Sequence, residues 1–164
     1  MKLFFVLMIF SQLTYAKALT MKINFIASTN IPGMEIRGQV NDQIIQSIEM
    51  DKTSIKKLSI ELKSKQLTTG LELRDEHLHE FLKYSKIVFS NTSICTFKKS
   101  VCDMSGFITV AGKKEAIQVE VIKTKKQLRS QIKLKLSQFE LERPSFAGVS
   151  VNDVILINIE GIKK

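Results

Sequence analysis

The chain has 164 residues, 25 lysines and arginines against 16 acidic residues, and a net charge of +9. That length makes one domain with a core of its own, and the spread of the basic residues along the chain argues against a nucleic-acid groove. The two cysteines are by themselves too few for a structural zinc site.

The first residues read as an export signal. Lys2 is followed by an apolar run from Leu3 to Phe10, which Ser11, Gln12 and Thr14 interrupt. Thr14-Tyr15-Ala16 and Ala16-Lys17-Ala18 both offer small residues to a signal peptidase. The run is well short of the roughly 20 apolar residues of a spanning helix. Residues 1–16 are therefore expected to be a signal peptide cleaved after Ala16 or Ala18, with 17–164 as the exported domain. Cleavage after Ala16 removes Lys2 and leaves +8, and cleavage after Ala18 also removes Lys17 and leaves +7. The expected location is the periplasm or the exterior.

Strand signals fill most of the remaining chain. Met21–Ala27, Met34–Val40 and Ile44–Met50 read as strands, separated by Pro32-Gly33 and Asn41-Asp42. Asp51–Lys57 reads as a helical turn. Leu58, Ile60 and Leu62 alternate with Ser59, Glu61 and Lys63, a period of two that wets one face and buries the other. Arg74–Lys83 breaks the pattern: Leu78, Phe81 and Leu82 lie at helical spacing in a charged stretch. One short helix is expected there, begun near Thr69-Gly70, with its apolar side covering one end of the sheet. Ile87–Cys95 and Phe107–Val110 flank a turn, and Gly112-Lys113-Lys114 turns into a strand at Ile117, Val119 and Val121. Ile132, Leu134 and Leu136 alternate with Lys133 and Lys135. Residues 143–152 read as a long loop, and Val154–Ile159, apolar on both faces, as a central or well-covered strand.

Many half-wet strands, one helix and no β-α-β rhythm predict an all-β fold, an antiparallel sandwich or barrel. A barrel also leaves no exposed edge. Cys95 and Cys102, an even pair in an exported chain, are expected to form a disulfide across the hairpin tip Thr96–Val101.

Candidate sites are few. His77 and His79 are two apart on a helix and so face different ways, which excludes joint metal binding. Neither a Ser-His-acid set nor a phosphate-binding glycine loop is present, so no enzyme is predicted and no cofactor or metal is called for. Arg74 and Asp75 open the helix, Asp75 suited to the helix N-terminus and Arg74 either structural or a contact for a polar headgroup. The inward rows of the sheet are Ile23 and Phe25; Leu58, Ile60 and Leu62; Ile87 and Phe89; Ile108 and Val110; Val119; Ile132, Leu134 and Leu136; and Ile157. Ile117, Val121, Ile155 and Ile159 continue them. An eight-stranded barrel can fill such an interior with side chains or hold one small ligand there, and periodicity alone leaves both open.

Five stretches in order resemble the YceI-like family. Thr69-Gly70-x-x-x-Arg74-Asp75-Glu76-His77-Leu78 is similar to that family's T-G-x-x-x-R-D-x-H-L. Lys86–Thr92 is similar to its I-x-F-x-S-T strand, and Gly106–Gly112 to its G-x-L-T-I-x-G strand and turn. Phe139–Phe146 is similar to F-x-I-x-R-x-x-F, and Val151–Val154 to the V-G-D-x-V stretch that opens its last strand. The resemblance implies an extended, lipocalin-like antiparallel barrel of about eight strands. It also implies an apolar tunnel for a polyisoprenoid chain, such as a quinone tail or an isoprenoid phosphate carrier, in the periplasm. Quinone or other isoprenoid lipid is then the expected partner of a monomer or homodimer. The alternative is an interaction or membrane-surface module with a filled barrel, whose basic strand face at Lys123–Lys135 meets an anionic membrane. The chain departs from the family pattern at Phe81-Leu82, where paired phenylalanines are usual, and in the shorter loop after them. It also departs in lacking a proline before the Ile87 strand and in its cysteine pair. A shorter loop is expected to narrow the tunnel mouth.

Overall fold

The structure, a computed structural model, describes residues 19–41 and 44–163. The export signal expected over 1–16 or 1–18 lies outside the described residues.

Among the described residues, twelve strands and one α-helix follow in chain order: β1 Leu19–Thr29, β2 Glu35–Val40, β3 Ile45–Met50, β4 Ser54–Lys63, β5 Leu67–Thr68, α1 Glu72–Phe81, β6 Lys86–Asn91, β7 Cys95–Thr96, β8 Val101–Val110, β9 Lys113–Lys123, β10 Gln127–Lys135, β11 Ser145–Phe146 and β12 Val149–Lys163. Every pairing is antiparallel, and the ladder runs β3-β4-β6-β8-β9-β10-β12-β1-β2-β5.

That open-ended order describes a sheet that curls back on itself. β5 continues β4 through the 3-10 turn Ser64–Gln66, and β3 follows β2 after a short connection. The upper half of one seam is the β2–β5 ladder, Gln39↔Thr68 and Val40↔Leu67. Its lower half is the β3–β4 ladder from Ile45↔Glu61 to Met50↔Ile55. Gln46 Nε2 donates to the Leu19 carbonyl oxygen, tying β3 back to β1. β7 extends β6 along the same edge of β4. The wall is thus an up-and-down barrel of eight staves: β1, β2 with β3, β4 with β5, β6 with β7, β8, β9, β10 and β12. The lipocalin-like reading holds, with three of the eight staves broken in the middle.

Side-chain alternation explains which face turns inward. Along β8 burial alternates strictly from Cys102 through Met104, Gly106 and Ile108 to Val110. β10 buries Leu128, Ile132 and Leu134 and exposes Arg129, Gln131, Lys133 and Lys135, the wet basic face that its sequence predicts. β12, flanked by β1 and β10 along its length, is the central strand expected over Val154–Ile159, though it runs far beyond those bounds.

Several local expectations need correction. Asp51–Lys57 is not a helical turn. The Asp51 carboxylate accepts hydrogen bonds from the backbone N–H groups of Thr53 (2.7 Å) and Ser54 (2.8 Å), an Asx turn that delivers the chain into β4. α1 starts two residues before Arg74 and ends at Phe81, because Lys83 and Tyr84 adopt positive φ of 54° and 48°. β8 begins at Val101 rather than Phe107, and the tight reversal into β9 is Ala111-Gly112, at φ 49° and 84°. Positive φ at both turn positions suits a two-residue hairpin and favours glycine at the second. The loop expected over 143–152 is largely a hairpin, in which β11 pairs with the start of β12.

Cys95 and Cys102 are bonded, with Cα atoms 5.6 Å apart. Both are buried, Cys95 completely, beneath a hairpin closed by Lys98↔Val101. Closing so short a loop removes about 2.5 kcal/mol of unfolded-chain entropy in the loop model. Cys95→Ser with Cys102→Ser should lower stability by roughly that amount in urea unfolding. An unchanged midpoint would show that the bridge adds nothing the hairpin lacks.

Candidate functional site: an apolar barrel interior

The barrel encloses a cavity of about 870 Å³, within the range of small-molecule sites. All fourteen lining residues anticipated from the sequence stand on its wall: Ile23 and Phe25 on β1, Leu58, Ile60 and Leu62 on β4, Ile87 and Phe89 on β6, Ile108 and Val110 on β8, Val119 on β9, Ile132 and Leu134 on β10, Leu136 just after it, and Ile157 on β12. Val121, Ile155 and Ile159 join them. Ile117 lies on the inward row of β9 but packs against the core instead of reaching the cavity.

The inward rows named from the sequence omit other wall residues. Met21 is two places before Ile23, so its alternation is legible. Leu128 is hidden because Ser130, on the same row, interrupts the apolar run. Met104 lies in a stretch of Cys, Asp, Met and Ser with no strand signature. Phe139 and Leu141 follow β10 in a 3-10 turn, Leu136–Phe139, and its exit. No periodicity of two marks them.

The helix closes one end. Leu78, Phe81 and Leu82 line the cavity, as their helical spacing predicts. Asp75 holds α1 in place by accepting three hydrogen bonds: from Thr68 Oγ1 (2.6 Å), Thr69 N (2.7 Å) and Thr69 Oγ1 (2.5 Å). Arg74 Nε donates to Thr69 Oγ1 (2.8 Å), and its terminal nitrogen donates to the Thr69 carbonyl oxygen (3.2 Å). His79 Nε2 donates to the Leu67 carbonyl oxygen at 2.8 Å. The T-T-G-x-x-x-R-D stretch is thus a clamp that ties α1 to β5. Gly70, at φ 79°, makes the turn between them.

Burial alone would raise the Asp75 pKa. The Thr68 and Thr69 hydroxyls, the Thr69 N–H and the nearby His79 outweigh it and hold the carboxyl below its ordinary range.

Polar wall residues are few. Thr69, Arg74 and His77 meet the cavity at the helix end, where the His77 ring centre lies 6.4 Å from that of exposed Phe146. Ser130 reaches it near the β9–β10 turn, while the Arg129 side chain lies on the outward face of β10. Arg129 is held by Glu160 at 3.3 Å. His77 and His79 diverge, one to the cavity and one to β5. No group of three or more His, Cys, Asp or Glu side chains able to hold a metal occurs among the described residues. No helix among them is long and apolar enough to cross a membrane.

Apolar walls with a few polar groups at the ends suit a slender apolar molecule with a polar tip. An interior lined by Leu, Ile and Phe does not hold ordered water well.

The depressed Asp75 pKa carries a sign. The native state favours the ionised form, so its contribution is present above the unfolded carboxyl pKa and fades as pH falls through the lower folded value. Asp75→Asn should cost about 1–2 kcal/mol at pH 7 and should flatten the loss of stability below about pH 4. Thermal melts of both proteins from pH 2 to 7 test this. Parallel profiles would remove Asp75 from the clamp.

Solved structures similar to this barrel share its fold. BcnA of Burkholderia cenocepacia superposes with a TM-score of 0.68 at 14% identity, covering 88% of this chain and 96% of its own. The YCEI protein of Campylobacter jejuni gives 0.63 at 22% identity, over 82% and 89%. A Saccharophagus degradans domain described as polyisoprenoid binding and implicated in plant cell wall breakdown gives 0.61 at 13%, over 92% and 99%. No curated protein sequence matches the chain. The model of the YceI-like domain matches residues 17–161, nearly the whole chain, and the protein belongs to the YceI-like family.

Proposed function

We propose that this protein carries or sequesters a polyisoprenoid or quinone-type lipid in the periplasm, with the apolar chain in the barrel and the polar tip at one end. The observation behind this reading is the cavity itself, walled by alternating Ile, Leu, Val and Phe from all eight staves. The polyisoprenoid-binding description of the S. degradans domain supports the same ligand class. Each buried methylene contributes about 0.8 kcal/mol, so a long chain gains more from the wall than from any headgroup contact. Length should therefore govern affinity. At the helix end, Arg74 and His77 are the groups placed to meet a polar tip. No residue constellation for a reaction accompanies them, so binding rather than catalysis is the activity proposed.

Contact with an anionic membrane surface would suit such a carrier. Lys123 and Lys125 gather with Lys52 and Lys99 around a shallow recess at the β9–β10 turn. The alternative of a module with a side-chain-filled barrel has the open cavity against it.

Leu134 is buried on the wall, and an arginine there brings an unpaired charge into the apolar interior. Leu134→Arg should abolish uptake of an isoprenoid quinone, read as quinone absorbance co-eluting with protein in gel filtration. Val119→Phe, which fills space without charge, should reduce uptake at least tenfold and guards against misfolding of the first variant. Folded variants that still take up quinone would refute the tunnel.

A further inference from the structure

We infer that two reclined phenylalanines, Phe25 over Gly38 and Phe89 over Gly106, set the bore of the cavity and are the residues that decide how wide a ligand it admits. This rests on the binding reading above and adds a width limit to it.

Both rings are on the cavity wall, Phe25 on β1 and Phe89 on β6. A phenyl group projecting straight from an inward position would take up much of the interior of an eight-stave barrel, which side chains alone can fill. Neither ring projects in this way. Phe25 pairs directly with Gly38 across β1 and β2. A Cβ added at Gly38 would lie 2.5 Å from Cε1 of the Phe25 ring. The ring therefore occupies the space that any other residue's side chain would claim. Phe89 pairs with Ile108, and Asn91 with Gly106, so Phe89 leans diagonally along the wall. A Cβ at Gly106 would lie 2.8 and 2.9 Å from its Cε2 and Cζ.

Neither glycine has positive φ, so backbone conformation does not demand glycine at these strand positions. Glycine within a strand is unfavourable and marks a close approach, here by an aromatic ring. The same arrangement on two separate walls of one cavity keeps two large side chains flat and leaves a continuous apolar bore. Such a bore suits a slender, flexible chain. They are also large strand side chains whose removal would open it without touching the backbone.

Replacing the glycines is the less clean test, because a Cβ at Gly38 or Gly106 would also lie 2.6 Å from the carbonyl oxygen of Thr68 or Ser90. The rings are the better handle. The purified exported domain, delipidated, would be titrated with two intrinsically fluorescent probes: cis-parinaric acid, a flexible straight chain, and dehydroergosterol, a rigid fused-ring sterol. The unmodified protein should bind the chain and at least tenfold more weakly the sterol. Phe25→Ala and Phe89→Ala should each raise sterol affinity at least tenfold while changing chain affinity less than threefold. Phe89→Trp, whose larger ring does not fit over Gly106, should weaken chain binding. Equal binding of both probes by the unmodified protein would overturn the width limit. So would alanine variants that bind the chain normally and gain no sterol. If neither probe binds any of the proteins, the carrier reading itself fails, and the bore assignment with it.

Discussion

The structure depends on closure of the barrel. A strand presents alternate residues to opposite faces, so a sheet that closes on itself brings every inward row to one interior. Here closure is achieved without an unbroken ladder at one seam. β2 meets β5 in one half, β3 meets β4 in the other, and Gln46 reaches the Leu19 carbonyl across the gap. The Cys95–Cys102 bond secures the hairpin from which β8 departs. An open sheet of the same residues would expose those apolar rows to water. Closed, it covers them and leaves a void between them.

The void needs an end wall as well as side walls, and α1 supplies it. The helix has no fully buried residue of its own, so its apolar face alone holds it only weakly. Asp75, Arg74 and His79 compensate by bonding to Thr68, Thr69 and Leu67 of the segment just before it. Leu78 and Phe81 thereby stay over the cavity, while Arg74 and His77 reach its wall at the same end. A structural clamp and a polar lining group are thus combined in Arg74, whose guanidinium is bonded to Thr69 on one side and borders the cavity on the other.

The barrel is legible in the sequence wherever alternation is regular. Leu58-Ile60-Leu62, Val119-Val121 and Ile132-Leu134-Leu136 each declare a face, and all of these stand on the cavity wall. Pattern misleads where local side chains override it. Asp51 looks like the start of a helical turn because a carboxylate that caps N–H groups suits both that and an Asx turn. Val101–Ser105 does not read as strand because Cys102 and Met104, its inward residues, alternate with Asp103 and Ser105 beside a turn, where Val101 alone is β-branched. The end wall is half legible: the spacing of Leu78, Phe81 and Leu82 gives its apolar side, but the bonds from Asp75 to Thr68 and Thr69 depend on a turn that spacing does not describe. Whether the interior is filled or open lies beyond the sequence, because the same apolar rows serve either. The deciding features are the poses of Phe25 and Phe89, which alternation does not encode.

Native extraction tests most directly whether this interior holds an apolar chain. The protein is isolated from its native source without detergent and denatured, and the released lipid is identified by mass spectrometry. An isoprenoid lipid near one molecule per protein is the predicted result. Protein that emerges without lipid, and that afterwards takes up no added isoprenoid quinone, would contradict the carrier reading.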